Sequence, residues 1–207
     1  MKNKFKKQKY LIIKKAITKD VANFIFEYFS LKKEIFYFVY EKTKRIPNER
    51  LGINGDIQVQ DSFASYADLV METLLKTLLP LMEKNTGLKL YPTYSYARIY
   101  KKGNILEKHK DRPSCEISTT LNLGGDPWPI YLEPNIKVDL NPGDMLIYRG
   151  CDLEHWRNEF KGKICGQVFL HYNEKNGQFK NQNLFDGRPM IGIHPTDLNY
   201  IRSILTE

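Results

Sequence analysis

The spacing of apolar positions divides this chain into two textures. Tyr10, Leu11, Ile12 and Ile13 form a short apolar run that predicts a strand over 10–16. Thr18 stands where a helix N-cap would, and Val21, Phe24, Ile25 and Tyr28 follow at i, i+3, i+4 and i+7, which predicts a helix over about 18–30. Ile35, Phe36, Phe38 and Val39 recur among lysines and glutamates and predict a second helix over 31–45. PNERLGING (47–55) reads as loop by composition. A helical pattern returns from Ser62 to Lys84 through Tyr66, Leu69, Val70, Leu74, Leu78 and Leu81, with a kink expected at Pro80 and C-cap signals at Asn85 and Gly87.

Beyond Leu90 the pattern changes to short strands punctuated by turns. YSYARIY (94–100), EISTTLNL (116–123), PIYLEP (129–134), IKVDL (136–140), MLIYR (145–149) and KICGQVFLHY (163–172) all favour strand, and NPGD (141–144) is a tight turn. Within 116–123, Ile117, Thr119, Leu121 and Leu123 alternate with Glu116, Ser118, Thr120 and Asn122. Many short strands after a helical layer predict an α+β fold with a sandwich or jelly roll. We read 1–207 as a single domain: 1–88 a mainly helical support region, 89–175 a jelly-roll core, and 176–207 a C-terminal tail packing on that core. The tail ends in a predicted helix, TDLNYIRSILTE.

Composition narrows the class. With 42% hydrophobic residues the chain has material for a core, and no apolar run approaches the roughly 18 residues that a membrane span needs. The N-terminal MKNKFKKQKYLII lacks a long apolar stretch and a small-residue cleavage site, so no secretory signal is expected. Cys115, Cys151 and Cys165 are odd in number without CxxC spacing, which fits reduced thiols and a cytoplasmic protein. The net charge of +8 sits at one end: residues 1–50 hold 14 Lys/Arg and 5 Asp/Glu, whereas 51–207 hold 18 and 19. A basic arm of this kind can bind nucleic acid or an acidic partner, although it lacks the arginines and stacking aromatics of dedicated binders.

The candidate chemistry lies in YKKGNILEKHKD (100–111) and LEHWR (153–157). His109 and Asp111 are two apart, so on a strand both leave the same face while Lys110 points away. With His155 from a distant strand they make a two-histidine, one-carboxylate set, which holds Fe(II) on one side and leaves positions open opposite. Only four histidines exist, His109, His155, His171 and His194, and two fall at these positions. A non-enzymatic jelly-roll binding module with a structural metal remains the alternative at this point.

Together with Tyr100, Gly103, Leu121, Asn122, the Pro142-Gly143-Asp144 turn and the strand order, this segment resembles the 2-oxoglutarate and Fe(II)-dependent dioxygenases, in their prolyl-4-hydroxylase-like branch. The resemblance covers roughly residues 90–175. It implies a double-stranded β-helix, or distorted jelly roll, with supporting helices, and Fe(II) held by His109, Asp111 and His155. It also implies 2-oxoglutarate and O2 as cosubstrates, room for ascorbate, and hydroxylation of a C–H bond with release of succinate and CO2. The substrate it implies is a peptidyl residue, proline first, or a small molecule. A nucleic acid met through residues 1–50 is the alternative. The far carboxylate of 2-oxoglutarate needs a buried cation. Lys163, opening the last strand, is the first candidate, Arg157 its rival, and Arg98 and Arg149 stand behind. Tyr100 and Thr120 are the expected hydroxyl donors. Cys115, Arg112 and Trp156 are candidate pocket residues, Trp156 as a substrate shelf.

Overall fold

In the computed structural model, which describes residues 2–205, the elements run in the order α1 (Lys2–Gln8), β1 (Tyr10–Ile13), α2 (Lys19–Thr43), β2 (Ile53–Asn54), β3 (Phe63–Tyr66), α3 (Leu69–Thr86), β4 (Leu90–Lys101), β5 (Leu106–His109), β6 (Ile117–Gly125), β7 (Ile130–Leu132), β8 (Ile136–Val138), β9 (Met145–Tyr148), β10 (His155–Arg157), β11 (Ile164–Glu174) and α4 (Pro195–Leu205). Thr18 does cap α2, accepting from the Val21 N–H at 3.3 Å. The two helices expected over 18–45 are one. No Gly or Pro interrupts 19–43, and Ala22, Ile25, Phe29 and Phe36 place a buried face along its whole length. Lys44 ends it in the left-handed region, with its N–H on the Tyr40 carbonyl.

The helix expected from Ser62 starts later. Phe63–Tyr66 is a strand paired with β4, and Asp68 caps α3 by accepting from the Val70 and Met71 N–H groups. Four residues of mixed polarity fit either period, and the sheet edge offered by β4 decides between them. α3 runs through Pro80 and closes at Gly87 in the left-handed region (φ 76°). The final two residues of the predicted terminal helix lie outside the described residues.

All strand pairs are antiparallel and form two sheets. The major sheet has the order β1-β9-β6-β11-β4-β3-β2 and the minor sheet β5-β10-β7-β8, an α+β jelly roll of the double-stranded β-helix type. The first 88 residues thus supply three strands of the major sheet as well as its helices.

Phe29, Phe63, Met71, Leu75, Leu121 and Val168 belong to one buried cluster joining the helices to the outer face of the major sheet. Full burial of each such large side chain is worth roughly 1.5–3 kcal/mol. The alternation read in 116–123 has a structural reason: Ile117, Leu121 and Leu123 join that cluster. Ser118, Thr120 and Asn122 are equally buried but turn the other way and find polar partners between the sheets. Gly143, at φ 89° in the NPGD turn, lies against β1's connection, where a Cβ would meet the Ile17 carbonyl at 2.5 Å.

Candidate metal centre and cosubstrate pocket

β5 and β10 are neighbours in the minor sheet, and their register sets His109 directly opposite His155. The rings lie 4.2 Å apart, centroid to centroid. Asp111 Oδ1 lies 3.7 Å from His109 Nε2 and 3.4 Å from His155 Nε2. Each imidazole spends its Nδ1 locally, His109 on the Glu107 carbonyl at 2.7 Å and His155 on the Leu153 carbonyl at 3.0 Å. With Nδ1–H donating to a carbonyl, Nε2 is the nitrogen left for a metal. All three ligand atoms fall within 4.8 Å of one another, and the N, N, O donor set fits Fe(II).

Burial works against ionisation of Asp111, but the neighbouring imidazoles of His109 and His155 outweigh it and hold the carboxyl far below the usual range. Burial likewise lowers His109, yet Asp111 and the Glu107 carbonyl leave it above its ordinary value. Oδ2, the second carboxylate oxygen of Asp111, accepts from Ser118 Oγ at 2.7 Å. Ser118 Oγ lies 3.0 Å from His171 Nδ1, so the serine can receive the His171 proton while donating its own to Asp111. Complete burial pushes His171 down to about 4, which keeps it neutral. Gly150 opens the space for this chain of contacts, because a Cβ there would stand 2.2 Å from Asp111 Oδ2.

A cavity of about 390 Å³ reaches the three ligands and is lined by Tyr94, Tyr96, Arg98, Tyr148 and His171, with Asp56, Ile57 and Gln58 on its loop side. The Tyr148 ring meets His155 edge-on at 4.7 Å. The four candidate cations part company here. Lys163 is exposed at the strand start, where only its backbone N–H is held, by Asp126 at 2.6 Å. Arg149 faces Glu116 and Glu174 at 3.8 and 3.7 Å. Arg98 is buried but forms an ion pair with Asp56 and donates to Tyr100 Oη at 3.1 Å.

Arg157 alone of the four is buried with no carboxylate beside it. It is 1% exposed, donates to the Trp128 carbonyl and to Thr120 Oγ1 (3.2 Å), and leaves its Nε without a partner. Burial pulls its pKa below the normal arginine value. It stands two residues past the candidate ligand His155 on β10, with a register shift against β5 between the two. Lys163, at a strand end in solvent, offers no dry pocket for a carboxylate, whereas Arg157 is buried beside Thr120, behind the cavity wall to which Arg98 and Arg112 contribute.

Thr120 thus joins Arg157, and Tyr100, fully buried, packs edge-on to Trp128 at 4.7 Å within reach of Arg98. Trp156, between His155 and Arg157, points to the opposite face, stacked on Tyr131 under Lys108, and is no shelf for the cavity. Cys115 does line the cavity, against Tyr94 Oη at 3.0 Å. Arg112 also lines it, lying over the Tyr94 ring and forking onto Asp186 of the tail at 3.0 and 2.7 Å. Ser118, Tyr148 and His171 were not singled out as site residues from sequence, since only the pairing of β6, β9 and β11 brings them to the ligands. All three cysteines are free.

No family model matches the sequence, and no curated protein matches it. Solved structures do. A Pseudomonas putida prolyl-4-hydroxylase superposes with a TM-score of 0.56 at 11% identity, over 83% of this chain and 96% of the other. The fold is that of the 2-oxoglutarate and Fe(II) oxygenases. SnoN, a non-haem α-ketoglutarate-dependent epimerase from nogalamycin biosynthesis, gives 0.63 at 11% identity over 93% and 90% of the two chains. HygX from Streptomyces hygroscopicus, with nickel, 2-oxoglutarate and hygromycin B bound, gives 0.58 at 13% identity over 83% and 85%. Among the described residues no helix is long and apolar enough to cross a membrane.

Proposed function

We propose that the chain is an Fe(II)- and 2-oxoglutarate-dependent dioxygenase that hydroxylates a C–H bond of a peptidyl residue, proline first, or of a small molecule, releasing succinate and CO2. One observation carries this reading. A metal-competent His-Asp-His set shares strand β10 with a buried arginine that no carboxylate neutralises. Fe(II), when bound, supplies the redox and O2 chemistry that side chains lack.

His109 and His155 would hold the metal through Nε2 and Asp111 through Oδ1, with Ser118 steadying the other oxygen of the carboxylate. Arg157 would take the far carboxylate of 2-oxoglutarate, with the Thr120 hydroxyl beside it, turning a costly lone charge into a charge-assisted pair. Tyr100, Leu106, Trp128 and Phe160 form a buried apolar cluster on this side and keep water from the pair. The substrate would enter past Ile57, Lys110 and Arg112, which line the cavity. The small-molecule option is supported by HygX, which has this fold and binds hygromycin B. Nucleic acid is less well supported, because the lysines of α1 lie on a short helix anchored by Phe5 rather than among the cavity residues.

The test is anaerobic loading with Fe(II), followed by air and measurement of succinate formed from 2-oxoglutarate, alone and with panels of proline-containing peptides and of small molecules. Stimulation by one panel with a matching mass gain of one oxygen is the expected result. A wild-type protein that binds neither Fe(II) nor 2-oxoglutarate would sink the proposal.

A further inference from the structure

The acidic residues of α2 fall on a single line. Asp20, Glu27, Glu34 and Glu41 are its complete acidic content, and each is seven residues from the next. Seven residues return a helix to within about 20° of the same direction, so the four carboxylates form a rail. All four are exposed, although they lie in the most basic part of the chain. Among the described residues none has an ion-pair partner.

Beside the rail runs an apolar stripe, Val21, Phe24, Tyr28, Leu31, Ile35 and Phe38, spaced 3-4-3-4-3. Phe24 is 72% exposed, Phe38 61% and Leu31 57%. Only Tyr28 of the stripe turns inward, to the core and the Asp68 carboxylate; the other five are exposed, since the packed face of α2 is Ala22, Ile25, Phe29 and Phe36. Alternating spacings of three and four are the a and d positions of a coiled-coil seam, and the rail then occupies the flanking g position.

The charges choose the occupant. A second copy packed antiparallel would set rail against rail, four carboxylates facing four. A second copy packed parallel would set the rail against the positions of Ile25, Lys32 and Val39. Ile25 is buried there, and Lys32 is already committed to Asp68. We propose that this face of α2 docks an amphipathic helix of another protein, whose apolar seam is flanked by lysines or arginines. Contacts along the stripe give the area, and the rail selects the partner's charge.

Fluorescence anisotropy with labelled synthetic helices tests this on the full chain. One peptide carries leucines at a and d and lysines at e and g over four heptads; a second has glutamates at e and g; a third is a scramble of the first. The lysine-flanked peptide is expected to bind at least tenfold more tightly than either control, with affinity falling as salt rises. Glu27→Lys with Glu34→Lys and Glu41→Lys should reverse the preference towards the glutamate peptide. Leu31→Asp should abolish both. Equal binding of the lysine peptide and its scramble, or a preference indifferent to charge reversal, overturns the proposal. So does sedimentation showing a wild-type dimer that Leu31→Asp dissociates, which would give the stripe to a second copy.

Discussion

A guanidinium buried without a carboxylate is costly to keep, so Arg157 should matter less to the free protein than to its complex. Arg157→Met is expected to leave the Tm of the free protein equal or higher and to weaken 2-oxoglutarate by a factor of at least about 30, given the roughly 2–5 kcal/mol lost on truncating a buried charge pair. Thermal shift with and without 2-oxoglutarate and Ni(II) reads both effects, and an undiminished ligand shift in the variant would move the anchor elsewhere. Ser118→Ala should weaken Co(II) binding about 10–100-fold without unfolding the protein, as read by absorption titration beside far-UV circular dichroism. The His109–Asp111 pair was legible from its spacing and the resemblance, although β5 ends at His109 and Asp111 stands just past it, held by its N–H on the Gly150 carbonyl rather than by strand pairing. The same spacing relates His155 to Arg157 on β10, whereas the family's position for a basic residue favours Lys163. Ser118 and His171, 53 residues apart, were beyond any local pattern.

The strands after Leu90 were readable because turn residues bound them on both sides, and the helices because their caps are ordinary ones. Boundaries slipped where a neighbour decides the conformation, as at Phe63–Tyr66, which becomes a strand by pairing with β4. The NPGD turn shows how one element secures another. Asp144 accepts from Lys14 Nζ at 2.8 Å and from the N–H groups of Lys15 and Asn141 at 3.0 Å, fastening the segment after β1 to the turn before β9. Burial raises its pKa, but Lys14 and the two N–H donors outweigh that and leave it depressed. A depressed folded pKa contributes stability above the unfolded value of about 3.9, and that contribution fades as pH falls through the folded pKa. Asp144→Asn should therefore cost about 1–2 kcal/mol at neutral pH, with the gap from wild type narrowing below about pH 4. Urea denaturation of both proteins across that range measures it, and a gap that is constant with pH would count against an ionised Asp144 as the fastener.

Over the whole molecule, the tail after β11 is stitched to the rear of the site through α3. Glu72, 1% exposed, accepts from Ser95, Arg188 and the Gly192 N–H, and Asp186 holds Arg112 beside the candidate ligand Asp111. Arg188→Met strands the buried Glu72 carboxylate and is expected to destabilise the fold by about 3–5 kcal/mol, measurable by chemical denaturation. A loss below about 1 kcal/mol would mean that the tail is an accessory. Nothing local in GRPMIGIHP announces this role, because the partner of Arg188 lies 116 residues earlier.

The placement of His109 opposite His155 has a consequence in time. The two residues are separated along the chain by β6 to β9, so their pairing must close a long loop and is expected among the later contacts of folding. A slip of one residue between β5 and β10 would turn one imidazole out of the site. Metal capture would therefore clock the closing of the roll, and metal should lengthen the lifetime of the folded protein far more than it hastens its formation.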